Sequence, residues 1–539
     1  MKKIKIYTFI VFLFTGFMSC NQDDFFKIDR PQETQWVNTI SFEQGLSAVY
    51  YDLFYSNNGA SVPLMIDYVS SGVAHLLPET NTGAPWNEMT NRLFGQNYSL
   101  SDNLWSSRYR AITKCNLAIQ LDNEKEGNPF DLKTNSTDYT DNYVRQIGEY
   151  YFLRAYSYYS LVRFFAPPYD HAGGNTGKFI PFKTLPAYSK EEIFADSLGA
   201  TEEIYQQIIR DLKVAKRKLP TAYNSATMYP ICQIGHANKY VAAAMLAKVY
   251  FVMGKYAEAK LELDSVIQVA EGGRYYLDEP IQAFNKNVVT DVPREVLWEV
   301  NTGNTAVSGT NGMMYWGMVV GLNFRDADNG GRGVNMVKSD WNQFTFSYWA
   351  LDKMHWMTDP LNGDYTLTSD ATDDLRFQQL YYYLREYTLG GDPLVYETVP
   401  SHTRVDKPQL YVDKFFRGAP GDGRYTKYPI IRLADLYLIR AWIKWKTSDP
   451  TAANDLNKVW NRAHPTNLNY FNSGNVTEDA IFAEYLKEMT CEGWTLDFMM
   501  ATQMPIPAGD IARDSIPAPY SSWKWAIPAT ERSLNPDFQ

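Results

Sequence analysis

Tyr240-Val241-Ala242-Ala243-Ala244-Met245-Leu246-Ala247-Lys248-Val249-Tyr250, with the residues that follow as far as Val269, is the stretch that decides the fold class. Ala243, Leu246, Ala247 and Tyr250 recur at helical spacing and share one face. Gly254-Lys255-Tyr256 breaks the pattern, and Ala259, Leu263 and Val266 resume it on a second helix. Small residues at fixed positions let two helices approach closely, and the spacing matches the tetratricopeptide pattern. A pattern of this kind describes scaffold rather than chemistry.

Other stretches extend the pair into an array. Leu104-Trp105 leads to Tyr109, Ile112 and Asn116 at helical intervals. Tyr143 to Phe165 carries Ile147, Tyr151, Leu153-Arg154-Ala155, Tyr158 and Leu161-Val162, and Pro167-Pro168 ends it. Ile193 to Leu219 reads as an amphipathic helix closed by Pro220. Tyr428 to Ala463 reads as a further hairpin turning at Asp449-Pro450. The predicted class is mainly α: a tetratricopeptide-like hairpin scaffold with a few short strands and a large irregular, loop-rich region. That region runs from about Ala270 to Pro420, rich in Gly, Asn, Asp and aromatics. Within it Glu295 to Val300 alternates like a strand. Leu76 to Leu100 is similarly irregular.

Composition excludes several classes. Hydrophobic residues are 45% and charged residues 21%, which is globular rather than disordered. The formal net charge is −10 and no basic block occurs, so nucleic acid is not an expected partner. Cys115, Cys232 and Cys491 are widely spaced without C-x-x-C, and make neither a disulfide framework nor a zinc site. They read as small buried apolar residues. No cofactor and no metal are expected.

The N-terminus addresses the chain for export. Lys2, Lys3 and Lys5 precede an apolar run from Ile6 to Phe14, too short to span a bilayer. Phe17-Met18-Ser19-Cys20 then resembles a bacterial lipoprotein signal, with Phe17 where Leu is usual. Cleavage before Cys20 would free its thiol and amine for lipid. Asn21-Gln22-Asp23-Asp24 resembles the polar tag of surface-exposed Bacteroidetes lipoproteins.

Four stretches together resemble the SusD/RagB family over nearly the whole chain. They are Leu104-Trp105 with Asn116, Glu149 through Leu153-Arg154-Ala155 to Val162, Tyr428 through Arg432-Leu433-Ala434-Asp435 to Arg440-Ala441, and the ending Ile527-Pro528 with Asn535-Pro536. Departures fall at framework positions: Asp435 and Trp442 stand where Glu is common, Trp460 replaces a basic residue, and Trp494-Thr495-Leu496-Asp497 follows Glu492-Gly493. The resemblance implies a signal peptide over 1–19, a SusD-like helical region over 20–270, and a C-terminal region over 271–539 with the loop-rich insert and the final helical repeat. It also implies a non-enzymatic, lipid-anchored outer-membrane protein facing the exterior. Such a protein binds oligosaccharide or polysaccharide and closes as a lid over a SusC-like TonB-dependent transporter. A peptide- or protein-binding lid of the same family is the alternative, and a purely structural repeat adaptor is a third class.

Enzyme signatures are lacking. H-E-x-x-H, G-x-S-x-G and the phosphate-loop motif do not occur. Asp326 with Asp328, or Asp373 with Asp374, could supply the paired carboxylates of a glycosidase, but Asp374-Leu375-Arg376 fits a framework motif better. The chain's 39 Tyr and 14 Trp suit a glycan platform, because sugar C–H faces stack on rings while hydroxyls seek polar neighbours. Trp105, Tyr151, Tyr158, Tyr250, Trp298 and Tyr437 read as core. Ligand-binding candidates are Trp86 in a loop signal, Tyr315 and Trp316 with Asn323, Arg325, Asp326 and Arg332 close behind, and Trp341, Tyr348 and Trp349. Trp341, Phe344 and Tyr348 have a helical spacing that suggests packing.

Overall fold

A computed structural model describes residues 36–55, 61–76, 86–95, 99–187, 189, 192, 198–284, 294–301, 325–326, 336–337, 344–384, 409–412, 414 and 427–538. In chain order the helices are α1 (Thr39–Tyr50), α2 (Ser61–Ser70), α3 (Trp86–Thr90), α4 (Ser99–Glu124), α5 (Val144–Phe165), α6 (Thr201–Lys218), α7 (Lys239–Val252) and α8 (Tyr256–Glu271). They continue as α9 (Tyr348–Lys353), α10 (Ser369–Asp373), α11 (Leu375–Leu380), α12 (Leu433–Lys446), α13 (Ala452–Ala463), α14 (Glu478–Met489), α15 (Thr495–Thr502) and α16 (Ala529–Leu534).

The 240–269 stretch folds as the hairpin α7–α8. The Asn238 side chain caps α7 by accepting the N–H groups of Tyr240 and Val241 at 2.9 and 3.1 Å. The turn needs Gly254: its φ is +70°, and a Cβ there would lie 2.8 Å from the His171 ring. Ala243, Leu246, Ala247 and Tyr250 are buried as the spacing requires, and so are Ala259, Leu263 and Val266. Neighbouring helices then pack in the sequence α4, α5, α6, α7, α8, α12, α13, which is the predicted array.

One ionic device recurs in that array. Arg154 on α5 reaches Asp211 on α6 with two bonds of 2.8 Å and Asn116 on α4 at 2.9 Å. Arg440 on α12 reaches Asp455 on α13 at 2.8 and 2.7 Å and Asp264 on α8 at 2.9 Å. In each case one guanidinium fastens three successive helices, using the fork geometry that lysine lacks. The arginine-alanine pairs of the sequence are these fasteners, with the small Ala155 and Ala441 buried beside them.

The described strands are β1 (Ala74–Leu76), β2 (Lys178–Pro181), β3 (Leu198–Ala200), β4 (Val296–Asn301), β5 (Arg325–Asp326), β6 (Met336–Val337), β7 (Phe344–Phe346), β8 (Met357–Asp359), β9 (Asp364–Leu367), β10 (Tyr381–Leu384), β11 (Gln409–Val412) and β12 (Lys427–Arg432), and they pair in twos, all antiparallel. Strand β4 (Val296–Asn301) pairs with β12 (Lys427–Arg432), so Glu295 to Val300 is extended as the alternation predicted. Trp298 is core: Phe54, Phe152 and Tyr156 meet it edge-on, and its Nε1 donates to Gly235 O at 2.9 Å. Trp105, Tyr158, Tyr250 and Tyr437 are also buried, while Tyr151 is half-buried against the core. Cys115, Cys232 and Cys491 are buried free thiols.

Three readings change at their edges. The helix predicted from Ile193 begins at Thr201, because β3 (Leu198–Ala200) pairs with β2 (Lys178–Pro181) just before it. Phe344 is not helical. Strand β7 (Phe344–Phe346) pairs with β1 (Ala74–Leu76), and the helix starts only at Tyr348. Here pairing with a strand remote in sequence overrides a local three-residue spacing. The predicted hairpin from Tyr428 likewise opens with strand β12 before α12.

Behind α12 lies a sealed ionic frame. Arg432 donates to Glu295 at 2.7 Å and to Glu492 at 2.6 Å, and also reaches Glu488 on α14. Arg462 joins Glu295 at 2.5 Å, and Lys414 donates to Glu492 at 2.7 Å. Arg376 pairs with Asp374 at 2.7 Å and Glu484 at 2.8 Å, so Asp374-Leu375-Arg376 is framework. Burial alone would raise the Glu488 carboxyl, but Arg462 and Arg432 pull it well below its ordinary value. The departures at framework positions find partners too. Asp435 accepts from Lys248, Trp442 Nε1 donates to Glu478 at 3.1 Å, and Trp460 stacks on His464 at 3.7 Å.

Candidate functional site

Among the described residues, half-buried rings gather on the segment that runs from β7 through α9 into the hairpin β8 (Met357–Asp359) and β9 (Asp364–Leu367). Ser347 caps α9 through a bond from Ala350 N–H at 3.1 Å, so Tyr348 and Trp349 occupy its first turn. Tyr365 stands on β9, and its ring lies 4.9 Å from that of Tyr348 at 38°. Trp349 packs against Phe482 of α14 at 6.3 Å. All three rings are partly exposed. Beneath them Trp356 is fully buried between Phe377 and Tyr381, at 5.2 and 5.1 Å, which fixes the hairpin to α11. The face thus stands on rigid elements, as a preorganised binding surface requires.

The face offers ring surface for stacking contact. Three partly open rings provide apolar planes with polar edges. The carboxylate at this face, Asp510, accepts the backbone N–H groups of both Tyr348 and Trp349, the latter at 3.1 Å. It therefore serves as an acceptor for the first turn of α9.

Sequence-derived candidates fall unevenly on this geometry. Trp349 is in the face. Trp86 opens α3, and Arg325 and Asp326 form a two-residue strand paired with Met336 and Val337. The side chains of those three lie outside the described residues, as do Cys20, Tyr315, Trp316, Asn323, Arg332 and Trp341 altogether. The sequence reading missed Tyr365. Its signal was the alternation Asp364-Tyr365-Thr366-Leu367 after the turn residues Asn362-Gly363.

A second concavity, lined by Tyr156, Arg163, Tyr428, Glu492 and Trp494, is a narrow seam with no room for a sugar ring. Arg163 fills its floor, bonded to Gly493 O at 2.6 Å, to Asp67 at 3.2 Å and to Asp497. Asp67 also accepts Leu496 N–H at 2.8 Å at the start of α15. Burial outweighs these partners and raises the Asp67 carboxyl to about 6.

Residues 28–251 match a family model described as SusD-like, starch-binding and associating with the outer membrane. Residues 400–497 match the SusD family model. The chain belongs to the SusD/RagB family. Its two matched segments contain both helix fasteners, so Arg154 and Arg440 are parts of a SusD framework. A curated relative, SusD-like protein P2 of Formosa agariphila, is 27% identical over 272 residues, which is 50% of this chain and 46% of that protein. The match thus spans about half the length of that relative.

Solved structures share the fold. A SusD superfamily protein from Bacteroides thetaiotaomicron superposes with TM-score 0.70 at 20% identity, covering 93% of this chain and 99% of the other. A SusD-like carbohydrate-binding protein from Bacteroides vulgatus gives 0.64 at 16% identity, with 92% and 96% covered. A laminarin-binding SusD-like protein gives 0.58 at 20% identity, with 87% and 96% covered. The helical SusD fold is common to all three.

Proposed function

We propose that this chain is a surface glycan-binding lipoprotein that captures oligosaccharide and performs no chemistry on it. The observation that carries this reading is the face of Tyr348, Trp349 and Tyr365. Its rings are partly exposed, rigidly backed, and accompanied by a carboxylate already used as a backbone acceptor. Membership of a family described as starch-binding, and a fold shared with a laminarin-binding protein, support glycan as the ligand class. Trp86, Tyr315, Trp316, Asn323, Arg325, Asp326, Arg332 and Trp341 extend the same site in this reading, supplying further rings and the hydrogen-bonding groups that hydroxyls need.

The chain is held to the outer face of the outer membrane by lipid on Cys20 and works as a lid on a SusC-like TonB-dependent transporter. Residues 20–270 form the helical repeat region and 271–539 the part carrying the ligand loops. Calorimetry of the purified protein against a panel of polysaccharides and a peptide digest tests the reading. Saturable heat with one glycan class, reduced by Tyr365→Ala and by Trp349→Ala, is the expected result. Heat with peptides alone would replace it by a peptide-capturing lid.

A further inference from the structure

Where the loop before α7 meets α1 and α5, three side chains of metal-ligating type converge. Glu43 of α1, Cys232 of the turn Pro230–Gln233, and His236 each present a ligand atom, and the three atoms lie within 4.8 Å of one another. Cys232 Sγ is 3.6 Å from a Glu43 oxygen. A tetrahedral zinc, with Zn–S near 2.3 Å and Zn–O near 2.0 Å, places those two atoms about 3.5 Å apart. Glu149 holds the imidazole, with its Oε2 2.7 Å from His236 Nδ1. That leaves Nε2 for a metal, and a carboxylate on the far ring nitrogen is the usual outer partner of a metal-bound histidine.

Charge favours the same occupant. Arg145 bridges Glu43 and Glu149, and Tyr50 donates to Glu149 at 2.5 Å. The carboxylates of Glu43 and Glu149 thus gather around one guanidinium. A divalent cation between Glu43 and Cys232 would add positive charge on this acidic side, with the thiol giving up its proton as it ligates. Entry is short, since Ile231 and Gln233 on either side of the cysteine are exposed.

We propose that Glu43, Cys232 and His236 bind a divalent cation of zinc's class, with Glu149 orienting the imidazole and water in the fourth position. Cys232 and His236 are four apart in sequence, but Glu43 lies far upstream, so cysteine spacing alone gave no sign of the site. This inference is independent of the glycan reading.

Equilibrium dialysis of the purified full chain against zinc chloride, with metal analysis, should find one zinc per chain. Replacement by cobalt should give a thiolate-to-cobalt charge-transfer band. Cys232→Ser and His236→Ala should abolish that band, and Glu149→Gln should weaken zinc binding by about 10- to 100-fold, the usual effect of removing an outer partner. Zinc binding no different from that of Cys232→Ser would overturn the proposal. Should that variant fail to fold, the cobalt spectrum of the native chain decides, and absence of the thiolate band overturns it.

Discussion

Helix α14 is met from two sides by very different neighbours. On one side Arg432 reaches Glu488, and both are buried. On the other, the half-exposed ring of Trp349 rests on Phe482. The buried side works by pairing: each charge there is tolerable because another answers it. The open side works by incompleteness, leaving ring area that a ligand can cover. A substitution on the first should therefore act on stability, and one on the second on binding.

The largest effect is expected in the frame. Arg432→Met removes the cation shared by Glu295, Glu488 and Glu492 and leaves buried carboxylates short of a partner. Breaking a buried ion pair on one side costs about 3–5 kcal/mol. Urea unfolding should show a loss of that order, while the molecules that remain folded bind glycan as before. An unchanged midpoint would mean that the frame is not what holds α14 in place.

Next comes the seam. Asp67 has a folded pKa of about 6 against an ordinary value of 3.8, chiefly through burial. Between those values the folded state binds more protons than the unfolded one, so this group's contribution falls as pH rises. It is at its best below about pH 4 and fully lost above about pH 6, amounting to about 3 kcal/mol. Glu149 acts in the opposite sense. Despite burial, His236 and Arg145 hold it down to about 2, so its contribution is lost as pH falls below the ordinary carboxylate range. Comparing Asp67→Asn with the native chain from pH 4 to 7 isolates the first effect. The difference between the two should change across that window, and a constant difference would refute the assignment.

The open side should respond in affinity instead. Tyr365→Ala removes one ring from the face and should weaken glycan binding by about tenfold, equivalent to about 1.4 kcal/mol. Tyr365 is only half-buried, so the thermal midpoint should move little. A large fall in stability with unchanged affinity would make the ring a packing residue and move the site elsewhere.

How far the sequence reached follows the same division. The scaffold was legible because helical spacing is a local property: Ala243, Leu246 and Ala247 announce their common face within a few residues. Arg154 and Arg440 stood out as motif residues, but their roles depend on Asp211 and Asp455, which only the packed helices bring near. Strand β7 was misread because its partner Ala74–Leu76 is remote in sequence. The aromatic face was half legible. Trp349 was singled out by composition, whereas Tyr365 joins it only when the β8–β9 hairpin folds back.

The smallest expected effect sharpens the role of burial. Lys260 and Asp264, one helical turn apart on α8, pair at 2.9 Å with about a third of each side chain exposed. That is a good geometric ion pair by any distance measure, yet solvent already satisfies both charges. Asp264 would also keep Arg440 at 2.9 Å if Lys260 were removed. Lys260→Ala should therefore cost no more than about 0.5 kcal/mol in urea unfolding. A loss comparable to that of Arg432→Met would show that pairing itself, not pairing under burial, holds the molecule together. A small loss beside a large one would leave desolvation as the quantity separating the frame from the surface.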